Sequence, residues 1–301
     1  MTSSGETAVA RVVRSGQSIK RVYSALNRRK PPKIALVILV FMLFIGAFGP
    51  MLAPMDPHTG KLGDSLTPPF WLSGGSFEFP LGTDFFGRDL LSRILDGARI
   101  TMGTALVALV GSAFIGVTVG LISGYYAGWV DALVMRMVDF MLAMPGLLLA
   151  LVLIAAMGPS LKAVVLAVMV SGWVAYARYV RGDVLAQRER EYITAAIAIG
   201  CGAPRIMFRH LFPNVLATVM VIATLQTGGF ILLVASLSFL GVGVPKPTSA
   251  WGSMIADGRE FLLSSAWVSI MPGVAISLLI VSLNLVGDWM RDTFDPRLRN
   301  L

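Results

Sequence analysis

Residues 211–245 read LFPNVLATVMVIATLQTGGFILLVASLSFLGVGVP and contain no Asp, Glu, Lys or Arg. At average composition a window of that length is uncharged with a probability on the order of 10⁻⁵. Further charge-free windows cover residues 34–55, 100–130, 140–161, 163–177 and 261–287. A membrane-crossing helix needs about 20 apolar residues, so five of these windows are long enough and 163–177 is marginal. Lys162 and Arg178 can complete the marginal one by snorkelling to opposite interfaces, with Trp173 and Tyr176 near the headgroups. Together the windows predict an all-α membrane protein with six transmembrane helices.

Composition agrees. Of 301 residues, 55% are hydrophobic and 14% charged, against about 25% charged in ordinary soluble proteins, and the mean hydropathy is +0.75. So little polar surface cannot coat a water-soluble globule, which excludes a soluble enzyme, a disordered chain and a secreted disulfide scaffold. The single cysteine, Cys201, can form no intramolecular bridge, and His58 and His210 alone cannot furnish a tetrahedral metal site. No cofactor is expected.

The net charge of +8 is informative through its placement. Residues 1–33 carry Arg11, Arg14, Lys20, Arg21, Arg28, Arg29, Lys30 and Lys33 against the single acid Glu6. Positive charge marks the cytoplasmic side, and an even span count returns the C-terminus to it. Segment 178–214, with Arg178, Arg181, Arg188, Arg190, Arg205 and Arg209, falls on that side too, whereas the four cations of 56–99 stand beside six acids. The excess therefore reads as an orientation signal for membrane lipid and not as a nucleic-acid footprint. The expected organisation is a cytoplasmic basic segment (1–33), a first transmembrane helix (34–55), an extracytoplasmic loop (56–99), a five-helix core (100–287) and a cytoplasmic tail (288–301). The apolar run from Ile34 is too long for a cleaved signal core and predicts a retained anchor.

The five full-length windows hold no Asp, Glu, Lys, Arg or His, which argues against a pump that harvests an ion gradient by itself. Gly116, Gly120 and Gly124 recur every fourth residue, a spacing that lets helix backbones approach closely. Packing within the bundle and a seam facing a partner are both open at this point. Leu72-Ser73-Gly74-Gly75-Ser76 resembles an ABC ATPase signature loop, yet the chain has no phosphate loop: Gly60-Lys61 is followed by Leu62, and Met55 stands where the leading glycine belongs. The stretch reads as a Gly-Ser turn. From Gly82 to Ile94, the acid-first pairs Asp84/Arg88 and Asp89/Arg93 predict a short amphipathic helix in the extracytoplasmic loop, with Thr83 or Asp84 as its cap.

Segment 178–214 is the one sizeable cytoplasmic loop. Glu191 favours a helix N-terminus, while Gly200 and Gly202 mark its end. Tyr192, Ala196 and Gly200 share a ridge with Ala195 beside it. Pro204 suits the first turn of a second short helix, on which Arg205 and Arg209 share one face and Phe208, Met207 and Leu211 form another. Pro213 should end that element and open the next span, because the residue before a proline is biased away from helix. The result would be a rigid lever, although propensity and packing alone favour a passive connector under the bundle. Gln226, Ser236, Ser238 and Asn284 are polar groups within spans and candidate pathway residues, a role that competes with ordinary helix-helix hydrogen bonding.

Thr194-Ala195-Ala196, Gly200 and His210-Leu211-Phe212-Pro213-Asn214 resemble the EAA loop of the permease subunits of binding-protein-dependent ABC importers; Thr194 takes the position that is usually glutamate. The resemblance spans nearly the whole chain and is closest to the C-type permeases of the dipeptide, oligopeptide and nickel class. It includes Pro80-Leu81-Gly82-Thr83-Asp84, Gly87-Arg88-Asp89, Ser238-Phe239-Leu240-Gly241, Trp251-Gly252, Gly287-Asp288 and Asp295-Pro296-Arg297. It implies the type I ABC importer permease (MetI-like) fold and a non-catalytic pore-forming subunit in the cytoplasmic membrane. The implied partners are a homologous B-type permease, two ABC ATPase subunits and an extracytoplasmic solute-binding protein. By the same resemblance, Glu191, Thr194, Ala195, Ala196, Gly200, Pro204, Arg205, Arg209, Pro213 and Asn214 couple it to the ATPases. Dipeptides are the implied substrate; nickel, oligopeptides, glutathione and haem precursors are carried by related systems. A stand-alone secondary transporter would need an ion-coupling residue that the spans lack.

Overall fold

The computed structural model describes residues 31–294; most of the basic N-terminal segment and the end of the tail, with Arg297 and Arg299, lie outside the described residues. Helix α1 (Lys33–Leu52) starts where Pro32 closes the first turn, its carbonyl accepting from the Leu36 N–H at 2.9 Å. It is apolar on every face and only three of its residues are buried, as expected of a helix with little but lipid or a partner chain around it. Gly49 brings its backbone against that of Leu95.

Helix α2 (Leu90–Tyr126) has 37 residues, a length of about 55 Å that exceeds the hydrocarbon core of about 30 Å. Its N-cap is Asp89, whose carboxylate accepts from the Ser92 N–H at 2.8 Å. The short helix expected over residues 82–94 is not formed as a separate element. Gly87 takes φ +70°, and the Asp84 carboxylate accepts from the N–H groups of Phe86 and Arg88 at 2.8 and 3.0 Å. Turn chemistry thus outweighs the acid-first pairs, and Leu90–Ile94 become the first turn of α2. Met55 reaches the same corner by donating its N–H to the Ser92 hydroxyl at 3.0 Å. The Gly-Ser stretch at Leu72–Ser76 is a turn closed by Gly75 N–H to Leu72 O at 3.0 Å.

Ala127 and Gly128, both at positive φ, end α2 sharply. Next come α3 (Gly128–Leu142) and α4 (Gly146–Met157), bent by 92° at residues 143–145. Window 140–161 is therefore not one straight span: Pro145 removes a helical N–H and biases Met144 away from helix. Helix α5 (Leu161–Arg188) is capped by Ser160, whose hydroxyl accepts from Ala163 N–H at 3.1 Å. At 28 residues it is longer than its marginal window, which stopped at Arg178.

The helices α2 and α5 form the most extensive interface of the bundle. A Cβ on Gly116 would strike the Trp173 carbonyl, one on Gly120 would lie 2.7 Å from the Ala177 carbonyl oxygen, and one on Gly124 2.8 Å from the Val184 Cβ. The glycine seam is thereby used inside the chain, and the partner-facing reading of it falls. Residue numbers rise together along both helices, so α2 and α5 run parallel. Parallel neighbours require the intervening chain to cross back between them, which the bent α3–α4 pair does. The described residues thus hold five helices long enough to cross a membrane, and six spans with the bent pair as one.

Helix α6 (Glu191–Ala198) is short, and α7 (Ala203–Phe239) runs antiparallel to α5, with Phe230 against Gly172. Pro213 does not interrupt α7. Residues Ile206–Leu211 are wound as a π-helix, with the Phe212 N–H on the Met207 carbonyl, and Phe212 itself is helical. The wider turn re-registers the hydrogen bonds ahead of the proline, so the missing N–H and the ring cause no break. Helix α8 (Trp251–Gly258) is pinned to α2 by the fully buried Trp251, whose indole N–H donates to the Ile94 carbonyl at 2.9 Å. Helix α9 (Trp267–Phe294) closes the bundle against α7, α8 and α1.

Candidate functional site

Two regions gather the polar residues, one at each end of the bundle. At one end, α6 lies between the last turn of α5 and the start of α7. Glu191 sits in the first turn of α6, complementing its N-terminal dipole. At the other end of α6, the Cys201 N–H bonds to the Ala196 carbonyl at 3.0 Å and the Gly200 N–H to Ile197 at 2.9 Å, with Gly200 at φ +81°. This six-to-one and five-to-two pair is a Schellman termination, and it demands a residue that tolerates the left-handed region.

The small residues of α6 divide between two directions. Ile193 and Ala196 are buried, whereas Thr194, Ala195 and Gly200 are exposed. Ala196 thus packs within the chain, and Thr194 with Ala195 form the free surface. Pro204 occupies the first turn of α7, and Arg205 and Arg209 are exposed just beyond it. Met207 and Leu211 are buried as expected, but Phe208, placed with them by spacing, is 64% exposed. The π-turn shifts its angular position away from the α-helical face. Tyr192, Ile197, Ile199 and Phe208 thus form an exposed apolar rim next to the two arginines.

One connection was not legible in the sequence. The Tyr192 hydroxyl donates to Gln187 Oε1 at 3.0 Å and accepts from Asn214 Nδ2 at 3.3 Å. Asn214 Nδ2 also donates to the His210 carbonyl at 2.6 Å, just ahead of Pro213. A single tyrosine therefore ties α5, α6 and α7. Below it, Arg181 makes a two-pronged pair with Asp131 of α3, both contacts at 2.5 Å, and Arg178 pairs with Asp139. These pairs brace the bent element against α5.

The four candidate pathway residues do not share one place. Gln226 and Ser236 of α7 open on a cavity of about 370 Å³, together with Ser171, Gly172 and Gly146. Ser238 lies in a second cavity of about 650 Å³ at the far end of the bundle. Asn284 is on neither; its side chain abuts Gly228, where a Cβ would lie 2.9 Å from Oδ1. Beside the second cavity, Asp84 accepts from Arg88 Nε at 2.8 Å and from the Arg93 guanidinium, and all three residues are buried. Asp89 does not pair with Arg93 as the spacing had suggested; it caps α2.

Several membrane-length helices around an in-chain glycine seam, a polar turn with α6 at one end and cavities along α7 are the architecture of a multi-pass membrane protein. Residues 116–300 match the family model described as binding-protein-dependent transport system inner membrane component, and residues 19–69 match the N-terminal TM domain of oligopeptide transport permease C. The chain belongs to this family of inner-membrane transport components. It is 43% identical over 281 residues to the dipeptide transport system permease protein DppC of Escherichia coli (strain K12), covering 93% of this chain and 94% of that one. It is 39% identical over 282 residues to the di/tripeptide transport system permease protein DppC of Pseudomonas aeruginosa (strain UCBPP-PA14), covering 94% and 93% respectively. With the dipeptide transport system permease protein DppC of Alkalihalophilus pseudofirmus it shares 38% identity over 281 residues, 93% of this chain and 90% of that one.

Proposed function

We propose that this chain is the pore-forming subunit of an ATP-driven importer of dipeptides or short peptides. It pairs with a homologous B-type permease, two ATPase subunits and an extracytoplasmic solute-binding protein. The substrate class is taken from relatives of near-complete coverage that are named as dipeptide and di/tripeptide permeases. The single observation that carries the mechanism is the joint between α6 and α7. A Schellman-terminated helix, tied by Tyr192 to Asn214, is attached to a helix that runs unbroken to Phe239.

The chemistry of the parts fits that role. Thr194, Ala195, Arg205, Arg209 and the apolar rim offer the ATPases a surface, with Glu191 and Gly200 fixing its ends and Pro204, Pro213 and Asn214 shaping the turn into α7. Thr194 presents a hydroxyl where a glutamate would present charge, so docking rests on shape, apolar contact and the two arginines. Ala196 supports this surface from inside. ATP hydrolysis takes place on the partner subunits; this chain carries no phosphate loop and performs no catalysis itself. Closure of the ATPases pushes α6, α7 transmits the displacement, and the two permeases alternate between outward-open and inward-open states. The cavity with Gln226 and Ser236 lies along the path between them. In this arrangement the end of the bundle that holds α6, the start of α1 and the end of α9 is cytoplasmic.

The test is reconstitution. Purified with all partners in vesicles, the wild-type chain should support ATP-dependent dipeptide uptake, and omission of either the ATPases or the solute-binding protein should abolish it. Uptake that persists without ATPases would replace this reading with a stand-alone transporter.

A further inference from the structure

The cavity of about 650 Å³ lies between the turn at Asp84–Arg88, the segment after α7 and helix α8 with its continuation at Arg259–Phe261. Its walls are partly aromatic: Phe85 stacks on Phe261 with ring centroids 5.3 Å apart. The Asp84 carboxylate is fully engaged by Arg88, Arg93 and two backbone N–H groups. Asp257 is different. Its Oδ1 takes the Lys246 ammonium at 2.8 Å, while its buried Oδ2 makes no hydrogen bond. Ser238, 3% exposed, lines the same cavity with a hydroxyl that also makes none.

The Lys246–Asp257 pair spans the cavity between two segments, and the lysine side chain is 66% exposed. The exposed lysine can swing away into solvent, whereas Asp257, at 21% exposure, stays in place in the wall. The Lys246 Nζ is a primary ammonium, the same group that a peptide carries at its amino end. A free peptide could replace it on Asp257 and offer its own carboxylate to the released lysine, so that one ion pair becomes two without leaving a charge unmatched. The volume lies within the usual range of small-molecule sites, and aromatic walls accept varied side chains.

Building on the peptide-permease reading, we infer that this cavity is a peptide-receiving site. Asp257 holds the ligand's α-ammonium through the oxygen that Lys246 now occupies, and Lys246 takes its α-carboxylate. The site lies at the end of α7 opposite α6, where a solute-binding protein would deliver peptide. It would recognise what all dipeptides share, the two charged termini, and ignore what distinguishes them.

The experiment uses the complete transporter without its solute-binding protein, in a Cys201→Ser background with Ala256→Cys in the cavity wall. The maleimide labelling rate of that cysteine is read against Ala-Phe, N-acetyl-Ala-Phe and Ala-Phe-amide, up to roughly ten millimolar, the range for two charge-assisted contacts. Ala-Phe should slow labelling, and the acetylated peptide should need about tenfold more, as for loss of one charge-assisted bond. Asp257→Asn should remove the preference for a free amino end. Lys246→Met should remove the preference for Ala-Phe over its amide while keeping the preference for the free amine. Equal protection by all three peptides in the wild type, or no protection, would overturn the site. Dipeptide uptake by the wild-type transporter with its solute-binding protein restored is measured alongside. Uptake without protection defeats this inference alone, whereas wild-type assembly with no peptide uptake defeats the transport reading beneath it.

Discussion

Gly200 and Asp84 show how a single residue sets local geometry here. At Gly200 the backbone takes φ +81° and nothing lies within 4 Å of where a Cβ would be, so a substitution is opposed by backbone strain and not by a clash. Gly200→Val should cost about 1–3 kcal/mol at the end of α6, while Gly200→Asn, which tolerates the left-handed region, should cost much less. Reconstituted transporters should show ATPase activity and peptide uptake falling together for valine and surviving for asparagine, with assembly verified by pull-down. Equal loss for both would mean that the glycine is needed for close approach to an ATPase and not for its conformation. Asp84 works through charge. Its removal strands the two buried guanidinium groups of Arg88 and Arg93, a situation that typically costs about 3–5 kcal/mol. Asp84→Asn should therefore lower the thermal midpoint of the detergent-purified complex by several degrees, and an unchanged midpoint would show that these arginines find other acceptors.

At the scale of elements, the apolar windows located the spans because charge is excluded from lipid, but not where each helix ends. α5 continues past Arg178 and Arg181 because Asp139 and Asp131 on α3 neutralise them. A window test counts each charge singly and cannot see a partner tens of residues away. The helix expected over residues 82–94 failed for a related reason: Gly87 and the turn-forming Asp84 outweighed the i,i+4 pairs. Nor could the sequence show that the π-turn at Ile206–Leu211 would let α7 pass through Pro213. The glycine periodicity was legible, but whether it faced inward or toward a partner required the packing. With that settled, Gly120→Leu has a defined consequence. Its side chain would be driven into the Ala177 carbonyl and Val180, and overpacking of this kind costs about 1–3 kcal/mol or more. The variant chain should assemble poorly and give little folded complex on size-exclusion chromatography, whereas Gly103→Leu, at a position with nothing within 4 Å, should assemble normally.

For the whole molecule, orientation links charge to mechanism. The parallel run of α2 and α5, with the bent α3–α4 pair crossing back between them, makes the span count even and places α6 and the start of α1 at the same end. The opposite end holds the Asp84 turn, α8 and the cavity with Lys246 and Asp257. The cationic side chains lead to the expectation that these two ends face opposite sides of the membrane, while the candidate pathway residues are dispersed: Gln226 and Ser236 share one cavity, Ser238 lies in the other and Asn284 is in neither. Polarity within a span marks a residue as unusual, whereas the face it occupies depends on neighbours far away in the chain. The two ends also differ in what they require of solvent, since ATPases act in the cytoplasm and peptide arrives from outside. In a Cys201→Ser background, a membrane-impermeant thiol reagent applied to intact cells should label cysteines placed at Ser76 or Thr248 and leave Thr194→Cys unlabelled until the membrane is permeabilised. Labelling of Thr194→Cys in intact cells would place the α6 joint outside, where no ATPase could push it, and would overturn both the orientation and the coupling mechanism built on it.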